Sequence, residues 1–155
     1  MKLMLSAILL LLVIGGSFYF YHLAQTQPTY VGLPTVPCID YTKPVVQSFQ
    51  FSIQITIYGK NYPLEKNIGH DYGNCLHDIF TKDASGIVYV HANDTENFTL
   101  GQFFDVWKKT FSQKQIFSYQ TNGTHKITVF VNGKEVSTYR STPLTLNANI
   151  LIRYQ

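Results

Sequence analysis

The chain has 155 residues, 45% of them hydrophobic and 15% aromatic, with a formal net charge of +3 and only 14% charged residues. So many aromatic rings exclude a disordered chain, and so few charges exclude the clustered Lys and Arg of a nucleic-acid binder. One apolar run of spanning length excludes a polytopic membrane protein, and the roughly 130 residues beyond it suffice for one compact domain.

Residues 3–20 are uncharged, and as a helix rising ~1.5 Å per residue they would cover ~27 Å, near the thickness of a bilayer core. Tyr19 and Tyr21 stand at the outer end, where amphipathic rings favour the headgroup layer. Lys2 stays cytoplasmic by the positive-inside rule, which turns everything after His22 outward. The expectation is a transmembrane signal-anchor over residues 1–24, because the apolar run continues through Phe18-Tyr19-Phe20. A cleaved signal peptide, with its cut at Gly15-x-Ser17, is the competing reading, and both place the domain outside the cytoplasm. Residues 25–37 hold three prolines and no charge, an extended spacer. An extracytoplasmic domain over residues 38–155 follows.

Residues 49–58 alternate without a fault: Phe49, Phe51, Ile53, Ile55 and Ile57 on one face, Gln50, Ser52, Gln54, Thr56 and Tyr58 on the other. Period two predicts a half-buried strand. Gly59-Lys60 turns it into a short edge strand around Tyr62-Pro63-Leu64. Residues 67–80 read as irregular, broken by Gly69 and Gly73. Asp83-Ala84-Ser85-Gly86 is a turn, residues 87–91 a strand, and residues 93–96 the turn after it. Thr99-Leu100-Gly101-Gln102 is a capping box. Leu100, Phe103, Phe104, Trp107 and Phe111 then recur at helical spacing, with Lys108 and Lys109 complementing the dipole at the end. Residues 125–131 run into Asn132-Gly133, a strong hairpin signal, and return through 134–138; residues 149–154 form a last strand. One amphipathic helix on a mostly antiparallel sheet is an α+β domain, with a β-grasp-like arrangement as its expected form.

Two cysteines, Cys38 and Cys75, both lie beyond the apolar run, where an oxidising medium permits a bridge. The bridge would close about 38 residues and contribute ~3 to 4 kcal/mol in a chain-entropy estimate. Alternatively, His70, Cys75 and His77, with Asp71 or Asp78, offer borderline and soft ligands to copper or zinc, although their spacing matches no dedicated motif. A free thiol is the third option. Asn93, Asn97 and Asn122 each head an acceptor sequon for N-glycosylation. No Gly-x-Ser-x-Gly elbow, Cys-x-x-Cys pair, phosphate loop or paired-carboxylate signature occurs, so no catalytic residue is expected. His91 and His125 read as solvent-facing strand ends.

The segment from Gly69 through Cys75-Leu76, Thr81-Lys82-Asp83-Ala84-Ser85-Gly86-Ile87-Val88-Tyr89-Val90 and Phe98-Thr99-Leu100-Gly101-Gln102-Phe103-Phe104-Asp105-Val106-Trp107 resembles an uncharacterised family of membrane-anchored extracytoplasmic proteins of archaea and bacteria. In that family a Leu-His-Thr-His-Asp segment precedes a strand and a Phe-Thr-Leu-Gly-x-Phe-Phe-x-x-Trp helix. An upstream strand carries alternating histidines, with a Cys ahead of it. The resemblance covers residues 38–111 and implies a metal site, for which copper is a candidate. Here Ser48, Gln50 and Ser52 stand in place of the alternating histidines, and Phe80 and Lys82 in place of the other two. Of the implied ligands only Asp83 carries over, which implies that the site is lost in this chain.

The leading functional expectation is therefore a non-enzymatic, membrane-anchored extracytoplasmic domain that binds a protein partner or serves as an accessory subunit. A copper or zinc or redox protein using His70, Cys75, His77 and neighbouring aspartates is one alternative. A structural cell-surface glycoprotein assembling through exposed sheet edges is the other.

Overall fold

The computed structural model describes residues 36–155; the expected membrane helix, and the expected spacer up to residue 35, lie outside them. Among the described residues no helix is long and apolar enough to cross a membrane. Among the described residues, eleven strands and one α-helix succeed one another as β1 (Gln47–Ile57), β2 (Lys60–Tyr62), β3 (His70–Asp71), β4 (Cys75–Leu76), β5 (Ile79–Phe80), β6 (Ile87–Ala92), α1 (Leu100–Val106), β7 (Gln115–Ile116), β8 (Tyr119–Gln120), β9 (Ile127–Val131), β10 (Lys134–Val136) and β11 (Asn149–Tyr154). The architecture is α+β, one helix on a sheet dominated by antiparallel pairs.

β1 organises that sheet. Its alternation buries Phe51, Ile53, Ile55 and Ile57 on one face, as period two demands. On one flank β1 pairs with β11, the sheet's single parallel pair, aligning Ile53 with Ile150 and Ile55 with Ile152. On the other flank it changes partner: β6 covers residues 47–52 and β2 covers residues 55–57. The main path through the sheet is β10-β9-β11-β1-β6-β5. The β1–β2 and β9–β10 hairpins each use two successive residues of positive φ, Tyr58-Gly59 (50° and 74°) and Asn132-Gly133 (52° and 80°), the geometry that matches strand twist. The first turn thus falls one residue earlier than Gly59-Lys60, and β2 ends before Pro63, which cannot donate to a ladder.

α1 carries the expected capping box: the Thr99 amide donates to Gln102 Oε1 at 2.8 Å, and the Gln102 amide donates to Thr99 Oγ1 at 3.4 Å. Its buried face, Leu100, Phe103 and Phe104, joins Phe98, Trp107, Phe111 and the inner face of the sheet in one hydrophobic cluster. The helix is shorter than its apolar spacing suggests. It stops at Val106 because Lys108 adopts a φ of +59° and closes a Schellman motif, with Lys109 N–H donating to Phe104 O and Lys108 N–H to Asp105 O, both at 3.0 Å. Lys108 and Lys109 therefore leave the helix axis and bond Asp71 (2.6 Å) and Glu65 (2.9 Å) instead of complementing a dipole. Phe111 reaches the core from an extended bridge to Ile116.

Candidate functional site

Three places bring chemistry-bearing side chains together. The first is where the chain enters the domain. Cys38 and Cys75 form a disulfide with Cα atoms 5.3 Å apart, and no cysteine among the described residues is free. Beside it His77, only 6% exposed, has Nδ1 at 2.8 Å from the Val36 carbonyl and Nε2 at 3.2 Å from Asp71 Oδ2. Asp71 Oδ1 in turn accepts from Lys108 Nζ at 2.6 Å. Lys108 above all, with His77 behind it, holds the Asp71 carboxyl below its ordinary range. The Ile39 amide donates to Leu76 O (2.8 Å) and the Asp78 amide to Pro37 O (3.1 Å). Val36 is 2% exposed, so the domain takes in the last two residues expected to be spacer.

These contacts decide how far the expected metal ligands converge. Possible ligand atoms of Cys38, Cys75 and His77 lie within 4.8 Å of one another, but both sulfurs are spent on their mutual bond and both imidazole nitrogens lie against protein oxygens, Val36 O and Asp71 Oδ2. His70, exposed on β3, and Asp83, exposed in its turn with Oδ1 accepting from the Ser85 amide at 2.9 Å, stand outside that group. Asp78 is 3% exposed, its Oδ1 meets no hydrogen-bond partner among the described residues, and burial, with Glu96 next in effect, raises its pKa to about 6.

The second place is on the outer sheet face. Ser48 and Gln50 of β1 lie opposite His91 and Tyr89 of β6, and together with Lys82, Leu146 and Asn147 they border a depression of about 370 Å³. Three positions that stand for histidines in the family resemblance, Ser48, Gln50 and Lys82, thus share one hollow. Ser52 lies apart in the cleft described next, and Phe80 is buried, stacked on Tyr89 with centroids 5.6 Å apart. Lys82 Nζ sits 4.1 Å from the centre of the Tyr89 ring, a cation–π contact. His91 is half-buried rather than solvent-facing, edge-on to Phe80 at 5.2 Å; burial, then Lys82, lowers its pKa and favours the neutral ring.

The third place has no counterpart in the sequence reading. Where β1 changes partner, Ile53 N–H still reaches Gly86 O at 2.8 Å, while β2 begins only at Ile55. The seam opens a cleft of about 350 Å³ between the ends of β6 and β2, floored by Ile53 and edged by Gln54, Asn61, Tyr62, Ser85 and Asn149. No charged residue lines it. The side-chain amides of Gln54, Asn61 and Asn149 make no hydrogen bond to any described residue, so three donor–acceptor groups face the cleft uncommitted. Tyr62 is fixed from behind, stacked on Phe117 with centroids 4.4 Å apart. Gly86 has φ +90°, and a Cβ there would come within 2.8 Å of Ile53 O, so the close approach that shapes the cleft requires glycine. Alternation along β1 was enough to place Gln54 on the polar face; its meeting with Asn61 and Asn149 depends on strand pairing across nearly a hundred residues.

The three sequon asparagines are spread apart: Asn93 half-buried after β6, Asn97 exposed before α1, and Asn122 exposed before β9. Compared with known proteins, the chain matches no family model, no curated protein and no solved structure.

Proposed function

We propose that this chain is a membrane-anchored, extracytoplasmic binding domain without catalytic activity, and that its binding site is the amide-lined seam cleft. The observation that carries the reading is the convergence of Gln54, Asn61 and Asn149, unpaired and uncharged, beside the Tyr62 ring. Amides donate and accept side by side, the pattern that vicinal hydroxyls complement, and an aromatic ring face packs against the C–H face of a sugar ring. A cleft of about 350 Å³ is at the small end for ligand sites, which suits one or two residues of a neutral glycan. The absence of charge in the lining disfavours nucleotides, phosphates and carboxylates. The outward address is supported by the uncharged leader and by the bridged cysteines. A β-grasp-like fold is supported by the parallel pairing of first and last long strands at the sheet centre, with the helix between two hairpins.

The test is a titration of the isotope-labelled full chain, held in detergent micelles, with cellotetraose, chitotetraose and mannotetraose, read by amide and side-chain amide chemical shifts. Shifts confined to Gln54, Asn61, Tyr62, Ser85 and Asn149 with one of these sugars are expected. Silence at those positions with all three at millimolar concentration overturns the site.

One observation favours a second reading as a zinc or copper protein: reduction would release Cys38 and Cys75 beside His77, three ligands within 4.8 Å. Reduced full-chain protein would then take up cobalt(II) with thiolate charge-transfer bands; a reduced protein that stays colourless refutes it.

A further inference from the structure

The three sequons are equivalent on paper and unequal in the fold. The Asn93 side chain is a clamp. Its Oδ1 accepts the Asp40 amide at 2.7 Å, and its Nδ2 lies 3.1, 3.3 and 3.0 Å from the carbonyls of Asp40, Lys43 and Pro44. It thereby pins the chain after Cys38 to the end of β6. A glycan would replace a hydrogen on the nitrogen that makes these bonds. Asn97 is exposed, but its sequon hydroxyl is Thr99 Oγ1, which caps α1 and lies 3.1 Å from Gln102 Oε1.

At Asn122 the sequon hydroxyl bonds the acceptor side chain itself. Its Oδ1 accepts from Thr124 N–H, Thr124 Oγ1 and His125 N–H, each at 2.9 Å, which turns Nδ2 outward without a partner and holds the sequon hydroxyl against the acceptor amide. The His125 ring is beside it, with Nδ1 at 3.2 Å from Asn122 Oδ1, and the His125 ring packs edge-on to Tyr58, which is 54% exposed. These rings offer an apolar bed to a first sugar.

We propose that Asn122 is the N-glycan attachment site of the folded domain, that Asn97 is a weaker one, and that Asn93 serves as a structural clamp. The inference rests on the outward orientation proposed above. In the modification, Asn122 Nδ2 bonds to the anomeric carbon of a lipid-linked glycosyl phosphate or pyrophosphate. The bond from that carbon to the phosphate oxygen breaks, the lipid phosphate departs, and the amide proton goes to a base of the host's membrane transferase.

The test is expression of the full chain in a glycosylating host, with occupancy of each sequon measured by peptide mass spectrometry alongside the cysteine state. Occupancy falling in the order Asn122, Asn97, Asn93 is expected, with Asn122→Gln and Thr124→Ala each removing the first glycan while the Cys38–Cys75 bridge still forms. Asn93→Gln should leave the glycan mass unchanged and open residues 40–44 to protease. A higher occupancy at Asn93 or Asn97 than at Asn122, or three bare sequons in bridged protein, overturns the assignment. Three bare sequons with both thiols free overturn the outward orientation, and the site with it.

Discussion

Asp78 is a buried carboxyl whose ionisation opposes folding, and its removal gives a pH-dependent gain of stability. The side chain is 3% exposed, one oxygen lacks a hydrogen-bond partner, and burial followed by repulsion from Glu96 lifts its pKa from 3.8 to about 6, against a smaller opposing pull from His77. Between these values the folded state holds more protons than the unfolded one, so stability falls as pH rises through that window. The displacement of about two pH units corresponds to about 3 kcal/mol, a penalty absent below pH 3.8 and complete above pH 6. Asp78→Asn keeps the backbone bonds to Pro37 and from His91 and cannot ionise. Other carboxyls act in the opposite sense: Asp71 and Glu65, lowered chiefly by Lys108 and Lys109, contribute stability that is lost on acidification. They act alike in both proteins and cancel from the difference. Urea unfolding of the full chain, followed by its single, buried tryptophan Trp107, should therefore show the variant gaining about 2 to 3 kcal/mol on the wild type between pH 4 and pH 7.5. A difference that is flat with pH, or that grows in favour of the wild type, refutes the reasoning.

Further outcomes follow from the same contacts. Replacing both Cys38 and Cys75 by serine should cost about 4 kcal/mol for the 37-residue separation, measured by urea unfolding against the untreated wild type; a loss below about 1 kcal/mol would show that the bridge restrains little. Gly86→Ala should destabilise by about 1 to 3 kcal/mol and abolish the sugar-induced shifts, since its Cβ would displace Ile53 O at the cleft floor. Gln54→Ala with Asn149→Ala should leave the unfolding free energy within ~0.5 kcal/mol, both residues being exposed, and remove binding by titration. Phe104→Ala, by contrast, should cost about 3 to 5 kcal/mol, because that fully buried ring stacks on Phe111 at 4.4 Å.

What could be read before the fold was known follows the range of each interaction. The strand of residues 49–58, the capping box at Thr99, the Asn132-Gly133 hairpin and the last strand over residues 149–154 are encoded locally, and each stands within two residues of its expected place. The end of α1 was illegible because Lys108, not glycine, takes the left-handed position, and the apolar spacing continued falsely to Phe111. The β7–β8 hairpin hid for a similar reason, with Phe117 at φ +53° in its turn. The two-residue strands β3, β4 and β5 carry too short a pattern for periodicity to register. Of the candidate site residues, Cys38 and Cys75 were recognisable as a pair by number and context, whereas the commitment of Asn93 to Asp40 and Pro44, or of His77 to Val36, depends on chain segments some forty to fifty residues apart.

The proposed outward orientation, together with the Cys38–Cys75 bridge, underlies the proposed binding site and the proposed glycan alike. Intact-mass and non-reducing peptide analysis of the protein from its native source tests that orientation most directly. A linked peptide joining Cys38 to Cys75, with added sugar mass at Asn122, is the predicted result. Two free thiols and an unmodified Asn122 would contradict it.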